Sequence, residues 1–497
     1  MDDPWDVFDE YEPPAKALAA TVDDDAIDGP IVIDPRAPLD TARMLVDMKH
    51  RENGVRTLQH QQSVFSKWTG TRYKQQPDEE TRADVYEFLE RAVTLDKEGH
   101  EKRFKPTNTS VNQVVDALRA ACQLSGDIQQ PGWISAAENQ PPANEILACA
   151  NGLLHLPTGK VHAHTPYFYS GTSLAYDYNR KAPDPREWIK FLSTLWPNDL
   201  ASIVTLQDIF GYLLGIDTDQ QKLFLMVGPK RSGKGTIGRI MNALMGEDAL
   251  ISPTLASLQT NFGIAPLIGK SIALIADARL GARADQHAIA ERLLSISGED
   301  KQTIDRKFLP AWNGKLNTRF VIMTNELPRI SDASGALASR FIILTMTKSF
   351  YGMEDRGLTN RLMAELPGIL NWAIEGWKRV RKRGYFEQPL SSSESIQELE
   401  DLSSPVSAFL RERCFVAPGQ SVEIDLLYAN WVHWCKEQGR DHSGTKQSFG
   451  RDLRALLPGL KVTQPRDAGT RERRYEGLSV VKDITEQYDR YNYRGDL

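Results

Sequence analysis

The feature that most constrains the fold is an apolar run followed by a glycine-bounded loop and an amphipathic segment. The run is Leu223–Val227 and the loop is Gly228–Thr236. Beyond the loop, apolar residues recur at the three- and four-residue spacing of a helix as far as Leu244. A strand this short and this apolar is typical of a parallel sheet buried on both faces. The stretch therefore predicts a strand, a turn and a helix of an α/β domain.

The loop has the spacing of a phosphate-binding loop, with the pattern G-x-x-x-x-G-K. Its residues are Gly228, Pro229, Lys230, Arg231, Ser232, Gly233, Lys234, Gly235 and Thr236. The two outer glycines allow the backbone to approach a ligand closely, and the loop amides with the helix N-terminus attract phosphate oxygens. We expect Lys234 to neutralise the β- and γ-phosphates of ATP. The alternative is a glycine-rich turn without a ligand.

A magnesium site is expected beside this loop. The Ser or Thr that usually follows the lysine is replaced by Gly235, so Thr236 is the candidate hydroxyl ligand for Mg²⁺. A second apolar run, Ile272–Ala276, ends at Asp277, where a carboxylate that organises Mg²⁺ is expected. A strand that ends in an aspartate is common without such a role.

Two further apolar runs end or begin at polar residues. Phe320–Thr324 is followed by Asn325, whose amide is expected to orient the attacking water; the alternative is an Asx turn before a proline. Arg340 precedes the run Phe341–Met346 and is a candidate finger that reaches the nucleotide of a neighbouring subunit. The alternative is a surface arginine at the start of a strand.

Composition excludes several classes of protein. The 497 residues are 41% hydrophobic and 25% charged, as in ordinary globular proteins. The four cysteines have no zinc or disulfide spacing, and we find neither a membrane span nor a secretory signal. Residues 1–30 contain ten acidic residues and one lysine, whereas the rest of the chain has a net charge of +3. This acidic leader is expected to be disordered and the chain cytoplasmic.

The last part of the chain predicts a winged helix-turn-helix. Helical patterns cover Ile424–Gln438 and Thr445–Leu456, and two strand-like pieces, Leu460–Thr463 and Tyr475–Val480, flank the polar loop Gln464–Arg474. The predicted second helix and wing are basic, as duplex DNA binding requires. The candidate residues are Lys446, Gln447, Arg451, Arg454, Arg466, Arg471, Arg473 and Arg474. The alternatives are a solvated basic loop and a protein-docking module.

The motifs together resemble superfamily 3 DNA helicases of the phage, plasmid and large-DNA-virus primase–helicase family. The matching text is Gly228–Thr236, Lys270–Asp277, Arg319–Pro328 and Ser339-Arg340-Phe341. Upstream, Asn151–Gly159 followed by Asp177-Tyr178 resembles the segment before the motor in this family.

The resemblance implies an AAA+ P-loop ATPase that forms a ring, typically a hexamer, with ATP between neighbours and single-stranded DNA in the central channel. Lys234 is then the phosphate lysine, Asp277 the acid of the second motif, Asn325 the sensor and Arg340 the finger in trans. The segment Ser297–Lys315 resembles the family's DNA-contacting hairpin. In it Lys307 is the first candidate for DNA contact, followed by Lys315 and Trp312.

The resemblance also divides the chain. It implies an α/β protein with a parallel AAA+ core, a mixed N-terminal domain and a C-terminal winged helix. The predicted parts are a leader 1–40, a mixed domain 41–185, a helical collar 186–221, the motor 222–386, a linker helix 387–420, the winged helix 421–482 and a tail 483–497. No clustered acids suitable for a primase lie outside the leader, so we expect a separate primase in the bacterial host cytosol.

Three functions remain open at this stage. The first is a replicative ring helicase that hydrolyses ATP and unwinds DNA. The second is a replication initiator or repressor that binds DNA through the basic C-terminal region and uses ATP as an assembly switch. The third is a nucleotide kinase, because Gly233-Lys234-Gly235-Thr236 also resembles nucleoside monophosphate kinases.

Overall fold

The computed structural model describes residues 31–481 apart from 53, 136–139, 247, 279, 281–283, 331, 333–334, 441–442 and 465–471. The leader residues 1–30, the tail after 481, Arg466 and Arg471 therefore lie outside the described residues. The described chain is mixed α/β, as predicted. No helix among the described residues is long and apolar enough to span a membrane.

The strands are β1 Ile31–Val32, β2 Arg51–Glu52, β3 Val55–Arg56, β4 Leu58–Gln61, β5 Val64–Trp68, β6 Tyr73–Gln76, β7 Ala92–Leu95, β8 Glu101–Arg103, β9 Gly132–Trp133, β10 Ile146–Cys149, β11 Gly152–His155, β12 Lys160–His162, β13 Phe168–Tyr169, β14 Leu223–Val227, β15 Leu250–Ile251, β16 Ile272–Ile275, β17 Lys301–Arg306, β18 Leu309–Lys315, β19 Arg319–Thr324, β20 Phe341–Thr345, β21 Cys414–Glu423, β22 Lys461–Thr463 and β23 Arg474–Val480. The α-helices are α1 Pro38–Lys49, α2 Asp78–Glu90, α3 Asn108–Ala121, α4 Arg186–Leu195, α5 Leu200–Leu214, α6 Lys234–Met245, α7 Gln286–Ser297, α8 Ala336–Arg340, α9 Leu358–Ala364, α10 Leu366–Arg383, α11 Ser393–Ser403, α12 Pro405–Arg413, α13 Ile424–Glu437 and α14 Lys446–Leu456.

A five-stranded parallel sheet forms the centre of the fold, in the order β15-β16-β19-β14-β20. The four apolar runs of the sequence are its long strands, and β14 lies between β19 and β20. Val227 is in register with Thr324 on one side and with Thr345 on the other. Because the strands are parallel, their carboxyl ends meet at one edge, which we call the loop edge because it carries the phosphate-binding loop.

Helices cover both faces of this sheet, which is why its strands are almost entirely apolar. One core contains side chains from α4, α5, α6 and α10, and the other contains side chains from α7 and the hairpin β17–β18. Helices α5 and α10 pack closely at two glycines. A methyl carbon on Gly211 would lie 2.1 Å from the backbone nitrogen of Trp377, and one on Gly376 would lie 2.1 Å from the carbonyl oxygen of Gln207.

A buried carboxylate also joins α5 to α10. Asp208 is 1% exposed and accepts hydrogen bonds from Arg379 Nε and Arg383 Nη2, each at 2.7 Å. On the same helix, Arg381 donates to Glu145 at 2.5 Å. These arginines of the basic C-terminal turn of α10 therefore hold the fold together.

The N-terminal part has its own core, built from α1, α2, α3 and the strands beside them. The sequence pattern predicts one helix over Glu79–Leu95, but the structure ends α2 at Glu90 and forms β7 from the next residues. The β-branched Val93 and Thr94 favour a strand, and β7 pairs with β1 and β8. This part contacts the central domain through an ion pair between Arg72 and Asp248 at 2.5 Å.

The C-terminal part consists of one helix, one strand, two helices and two strands, from α12 to β23, and its sheet order is β21-β23-β22. The predicted helices and strands of this region are present within two residues of their expected ends. The predicted start at residue 421 moves to about 405, because α12 and β21 belong to the same core. Phe409 of α12 is fully buried against Trp431, Trp434 and Phe449.

Candidate active site

The glycines that bound the phosphate-binding loop are required by packing. Gly233 has a positive φ of 97° and is the N-cap residue of α6, and a methyl carbon on it would lie 2.8 Å from Leu195 Cδ2. A methyl carbon on Gly228 would lie 2.6 Å from the carbonyl oxygen of Met346. The loop can therefore follow this path only with glycine at both positions.

Lys234 points back into the loop. Its ammonium group donates to the carbonyl oxygens of Gly228 at 2.6 Å and Pro229 at 2.9 Å, and to Ser232 Oγ at 3.0 Å. Partial burial lowers the pKa of Lys234 below its usual value. Phosphate oxygens are stronger acceptors than neutral carbonyls, so a phosphate in the loop would compete well for this ammonium group.

The segment after β20 supports the loop from outside. The backbone nitrogen of Phe350 donates to the carbonyl oxygen of Arg231 at 3.0 Å, and Ser349 Oγ donates to that of Lys230 at 2.9 Å. Arg231 has a positive φ of 61°, which is uncommon for a side chain of its size. These hydrogen bonds favour one conformation of the loop, and a loop ordered before binding lowers the entropic cost of binding.

The predicted magnesium residues lie at the loop edge. Asp277 follows β16 by two residues and is exposed, and Thr236 lies in the first turn of α6. Thr236 Oγ1 accepts a hydrogen bond from Arg239 Nη2 at 3.1 Å. A carboxylate and a hydroxyl are oxygen ligands of the kind that Mg²⁺ prefers, so the residues fit this ion.

Asn325 directly follows β19, the strand beside β14, and is half-buried at the loop edge. Its side-chain amide has no hydrogen-bond partner among the described residues, so it can meet a ligand. The backbone nitrogen of Gly228 donates to the carbonyl oxygen of Thr324 at 3.3 Å, which ties the two loops together. Glu326 adds an exposed carboxylate here that the sequence analysis did not consider.

Arg340 lies at the opposite edge of the sheet. It ends α8 just before β20, and Phe341 is in register with Leu223, the first residue of β14. The five residues of β14 place the loop roughly 16 Å away along the strand. Within its own chain, Arg340 donates to the carbonyl oxygen of Leu294 at 2.6 Å and to Ser297 Oγ at 2.7 Å, where it caps α7. It therefore cannot reach a nucleotide on its own loop.

The predicted DNA-contacting segment forms the hairpin β17–β18. Lys307 and Phe308 form its turn, and Lys307 Nζ lies 5.2 Å from the Phe308 ring centroid. Phe308 is 92% exposed, although sequence analysis did not select it. The signal that could have found it is its place beside Lys307 between two alternating strand patterns.

The other two hairpin candidates are less available. Trp312 is 9% exposed and packs in the hydrophobic core, because its side chain faces the domain rather than solvent. As described, its ring cannot stack on a base. Lys315 forms an ion pair with Glu299 at 2.6 Å, and this contact lowers the pKa of the Glu299 carboxyl. The structure therefore places only Lys307 of the three at the tip of the hairpin.

The basic residues of the C-terminal part are only partly paired. Lys446 contacts Asp425, Arg451 contacts Asp452 at 3.1 Å, and Arg474 contacts Glu423 at 3.2 Å. Lys446, Gln447, Arg451 and Arg454 all lie on the exposed side of α14. Arg473 is exposed just before β23. The helix thus presents one cationic face, while Arg471 lies outside the described residues.

Comparisons with known proteins give two partial family matches and likenesses of fold to solved structures. Residues 42–197 match the family described as "D5 N terminal like", and residues 226–340 match a family of unknown function called DUF5906. Three apo structures of the C-terminal region of NrS-1 are similar, at 14%, 13% and 12% identity. They cover 89%, 89% and 88% of this chain and 100%, 100% and 99% of their own, with TM-scores of 0.49, 0.50 and 0.46.

At such low identity the structural likeness concerns the fold alone. The second family match begins within β14 and ends at Arg340, so it contains the phosphate-binding loop, Asp277 and Asn325. The chain therefore joins a D5 N terminal like region to a region of unassigned function that holds the candidate active site.

Proposed function

We propose that this chain is an ATP-driven DNA helicase of a phage or related mobile element, and that it acts as a ring around single-stranded DNA. The observation that carries the proposal is the loop Gly228–Thr236, which follows the strand between β19 and β20 and whose Lys234 donates to two carbonyl oxygens of the loop. Such a loop binds the phosphates of a nucleotide through its amides and its lysine.

The order of the strands supports an AAA+ core. The strand before the loop is flanked by the strand that leads to Asn325 and by the strand that follows Arg340. Thr236 and Asp277 would hold Mg²⁺, which when bound would supply neutralisation of phosphate charge. Lys234 then holds the β- and γ-phosphates, and Asn325 orients the attacking water.

The position of Arg340 supports a homo-oligomer. Because this arginine lies at the far edge of the sheet from its own loop, it can stabilise the transition state only at the nucleotide of another copy. In such a heterologous contact, one edge of a subunit meets the opposite edge of the next subunit. Repeated contacts of this kind form a closed ring when the rotation between neighbouring subunits allows it. A hexamer is the expected size.

The hairpin tip supports contact with single-stranded DNA. Lys307 offers a cation for a phosphate and Phe308 an exposed ring for a base, a combination that suits single strands of any sequence. The D5 N terminal like region agrees with a role in phage DNA replication. The helix–strand–helix–helix–strand–strand order of α12 to β23 supports a winged helix that binds duplex DNA.

A strand-displacement assay on 3′- and 5′-tailed duplexes tests the proposal. The parent chain should separate one of the two substrates in the presence of ATP and Mg²⁺, and Lys307→Ala should lose most of this activity. Lys301→Ala is the matched control, because Lys301 is exposed on the same hairpin but lies at its base. No displacement of either substrate by the parent would refute the proposed function.

A second function, that of a replication initiator, is favoured by one observation. The exposed cationic face of α14 suits the major groove of duplex DNA. On this hypothesis the full chain binds a specific duplex in an ATP-dependent manner, loses this binding on Arg454→Ala and does not unwind DNA. A footprinting experiment with the parent and this variant tests the duplex binding, and strand displacement by the parent separates the two functions, because only the helicase unwinds DNA.

A further inference from the structure

A groove of about 860 Å³ lies between α4 and α10, on the face of the sheet opposite the hairpin. Its walls are α4, α10 and the segment 178–185 that leads into α4; we call it the α4–α10 groove. The side chain of Asn371 donates to the carbonyl oxygen of Asn179 at 3.0 Å and so fixes that segment to α10. The volume is within the usual range of ligand-binding clefts, roughly 300–1,000 Å³.

The residues that line the groove include four cations and two acids, Asp184 and Glu375, so their net charge is positive. Arg180, Arg186 and Lys190 line it, and their side chains have no hydrogen-bond or ion-pair partner among the described residues. A fourth cation, Lys378, pairs with Glu375 at 2.9 Å. Three unpaired cations around one groove contrast with the net charge of −6 of the whole chain. An anionic ligand would be attracted to each of them.

The cations are also regularly placed. Arg186 and Lys190 are four residues apart on α4, so they project from the same side of the helix about 6 Å apart along its axis. Arg180 approaches from the segment before the helix. The three charges therefore border the groove along its length and suit a ligand that carries several negative charges in series.

Two aromatic side chains, Tyr178 and Trp372, also line the groove. Trp372 is half-buried and packs edge-on against Trp188 and Phe210, each with a centroid distance of 5.7 Å. Tyr178 is half-buried too, its backbone nitrogen donates to Asn151 Oδ1 at 2.9 Å, and burial raises the pKa of its hydroxyl. Partly exposed rings held in place by their neighbours are platforms on which bases stack.

We propose that the α4–α10 groove binds single-stranded nucleic acid, at a site separate from the hairpin tip. Cations along the rim would bind successive phosphates, and Tyr178 and Trp372 would contact bases from below. Because the groove and the hairpin lie on opposite faces of the central sheet, one chain would hold nucleic acid at two places. In the proposed helicase, this site would hold a strand outside the channel.

Binding of a short fluorescent oligothymidine, measured by anisotropy without nucleotide at several salt concentrations, tests this proposal. The triple variant Arg180→Ala, Arg186→Ala, Lys190→Ala should lower the slope of log K against log salt by about 2, which corresponds to roughly 0.7 per lost phosphate contact. Affinity at low salt should fall at least about tenfold. The control is Lys97→Ala, Lys102→Ala, Lys105→Ala, which removes three exposed cations of the N-terminal part and should leave the slope unchanged.

An unchanged slope in the groove variant would overturn the proposal. A second result would also overturn it. In that result a peptide of residues 1–16 binds to the parent but not to the groove variant, and both proteins bind oligothymidine equally. That peptide combines acids with Trp5, Phe8 and Tyr11, and such a result would make the groove a site for the leader. This proposal shares its ligand class with the proposed function but does not need ATP hydrolysis. If the parent unwinds DNA and the groove variant binds oligothymidine as the parent does, only the groove proposal is refuted. If the parent does not unwind DNA and the groove variant binds oligothymidine more weakly, only the helicase proposal is refuted.

Discussion

A complementation experiment between two inactive variants follows from the position of Arg340. Lys234→Ala removes the lysine of the nucleotide site, and Arg340→Ala removes the finger that this site would receive from the next subunit. Each variant alone should lose ATP hydrolysis, with a decrease of roughly 10³-fold or more for the finger. The five residues of β14 separate the two positions by roughly 16 Å within one chain, so a complete site needs two copies.

The size of the restored activity can be calculated. In a random equimolar ring, a subunit with an intact lysine is followed by one with an intact arginine at about one interface in four. The mixture should therefore hydrolyse ATP at about a quarter of the parent rate, after the subunits have been dissociated and reassembled together with single-stranded DNA. The control mixture pairs each single variant with the double variant Lys234→Ala, Arg340→Ala and should stay inactive.

Two results would refute this reasoning. Arg340→Ala alone could hydrolyse ATP at the parent rate, which would show that Arg340 only caps α7 through Leu294 and Ser297. Alternatively, the mixture could stay inactive although both variants assemble. Because the cap contributes about 1 kcal/mol of stability, thermal unfolding of each variant must accompany the assay.

Three further predictions concern stability, DNA contact and pH. Gly376→Ala should destabilise the chain by about 3 kcal/mol in thermal unfolding, because the new methyl carbon would lie 2.1 Å from the carbonyl oxygen of Gln207. Phe308→Ala should weaken binding of single-stranded DNA about tenfold in an anisotropy assay, because its ring is 92% exposed beside Lys307, while ATP turnover without DNA stays the same. Burial lowers the pKa of His50 from 6.5 to about 4. The contribution of His50 to stability is full above pH 6.5 and is lost toward about pH 4. The unfolding free energy should therefore fall by about 2 kcal/mol more between about pH 7 and pH 5 in the parent than in His50→Gln.

Each of these predictions has its own control. Gly126→Ala should change stability by less than about 0.5 kcal/mol, because a methyl carbon there meets no atom within 4 Å. Equal stability of the two glycine variants would contradict the described packing of α5 on α10. Unaltered DNA binding by Phe308→Ala, or an equal pH dependence in His50→Gln, would contradict the roles given to those side chains.

The sequence was sufficient for the parts of the fold that local patterns encode. Four long apolar strands, the glycine-bounded loop and the helices of the C-terminal part follow from periodicity and turn residues, and they occur where expected. The edge strand β15 was missed because two residues carry no periodic signal. The split of Glu79–Leu95 was missed because the partners of β7, namely β1 and β8, are set by tertiary structure.

For the site, residue types could be predicted from the sequence, whereas the structure shows on which edge of the sheet each residue lies. The strand order brings Asn325 to the edge that carries Lys234 and leaves Arg340 at the other edge, and spacing along the chain does not contain this information. Trp312 and Phe308 show the same limit. Both are aromatic residues of one hairpin, yet the first faces the core and the second faces solvent.

ATP hydrolysis by Lys234→Ala, measured with and without single-stranded DNA, tests the central claim most directly. Lys230→Ala is the matched control, because Lys230 is an exposed lysine of the same loop and contacts Ser349 through its backbone oxygen. We expect the parent and Lys230→Ala to hydrolyse ATP faster when DNA is added and Lys234→Ala to show no hydrolysis above background. DNA-stimulated hydrolysis by Lys234→Ala at the parent rate would contradict the account.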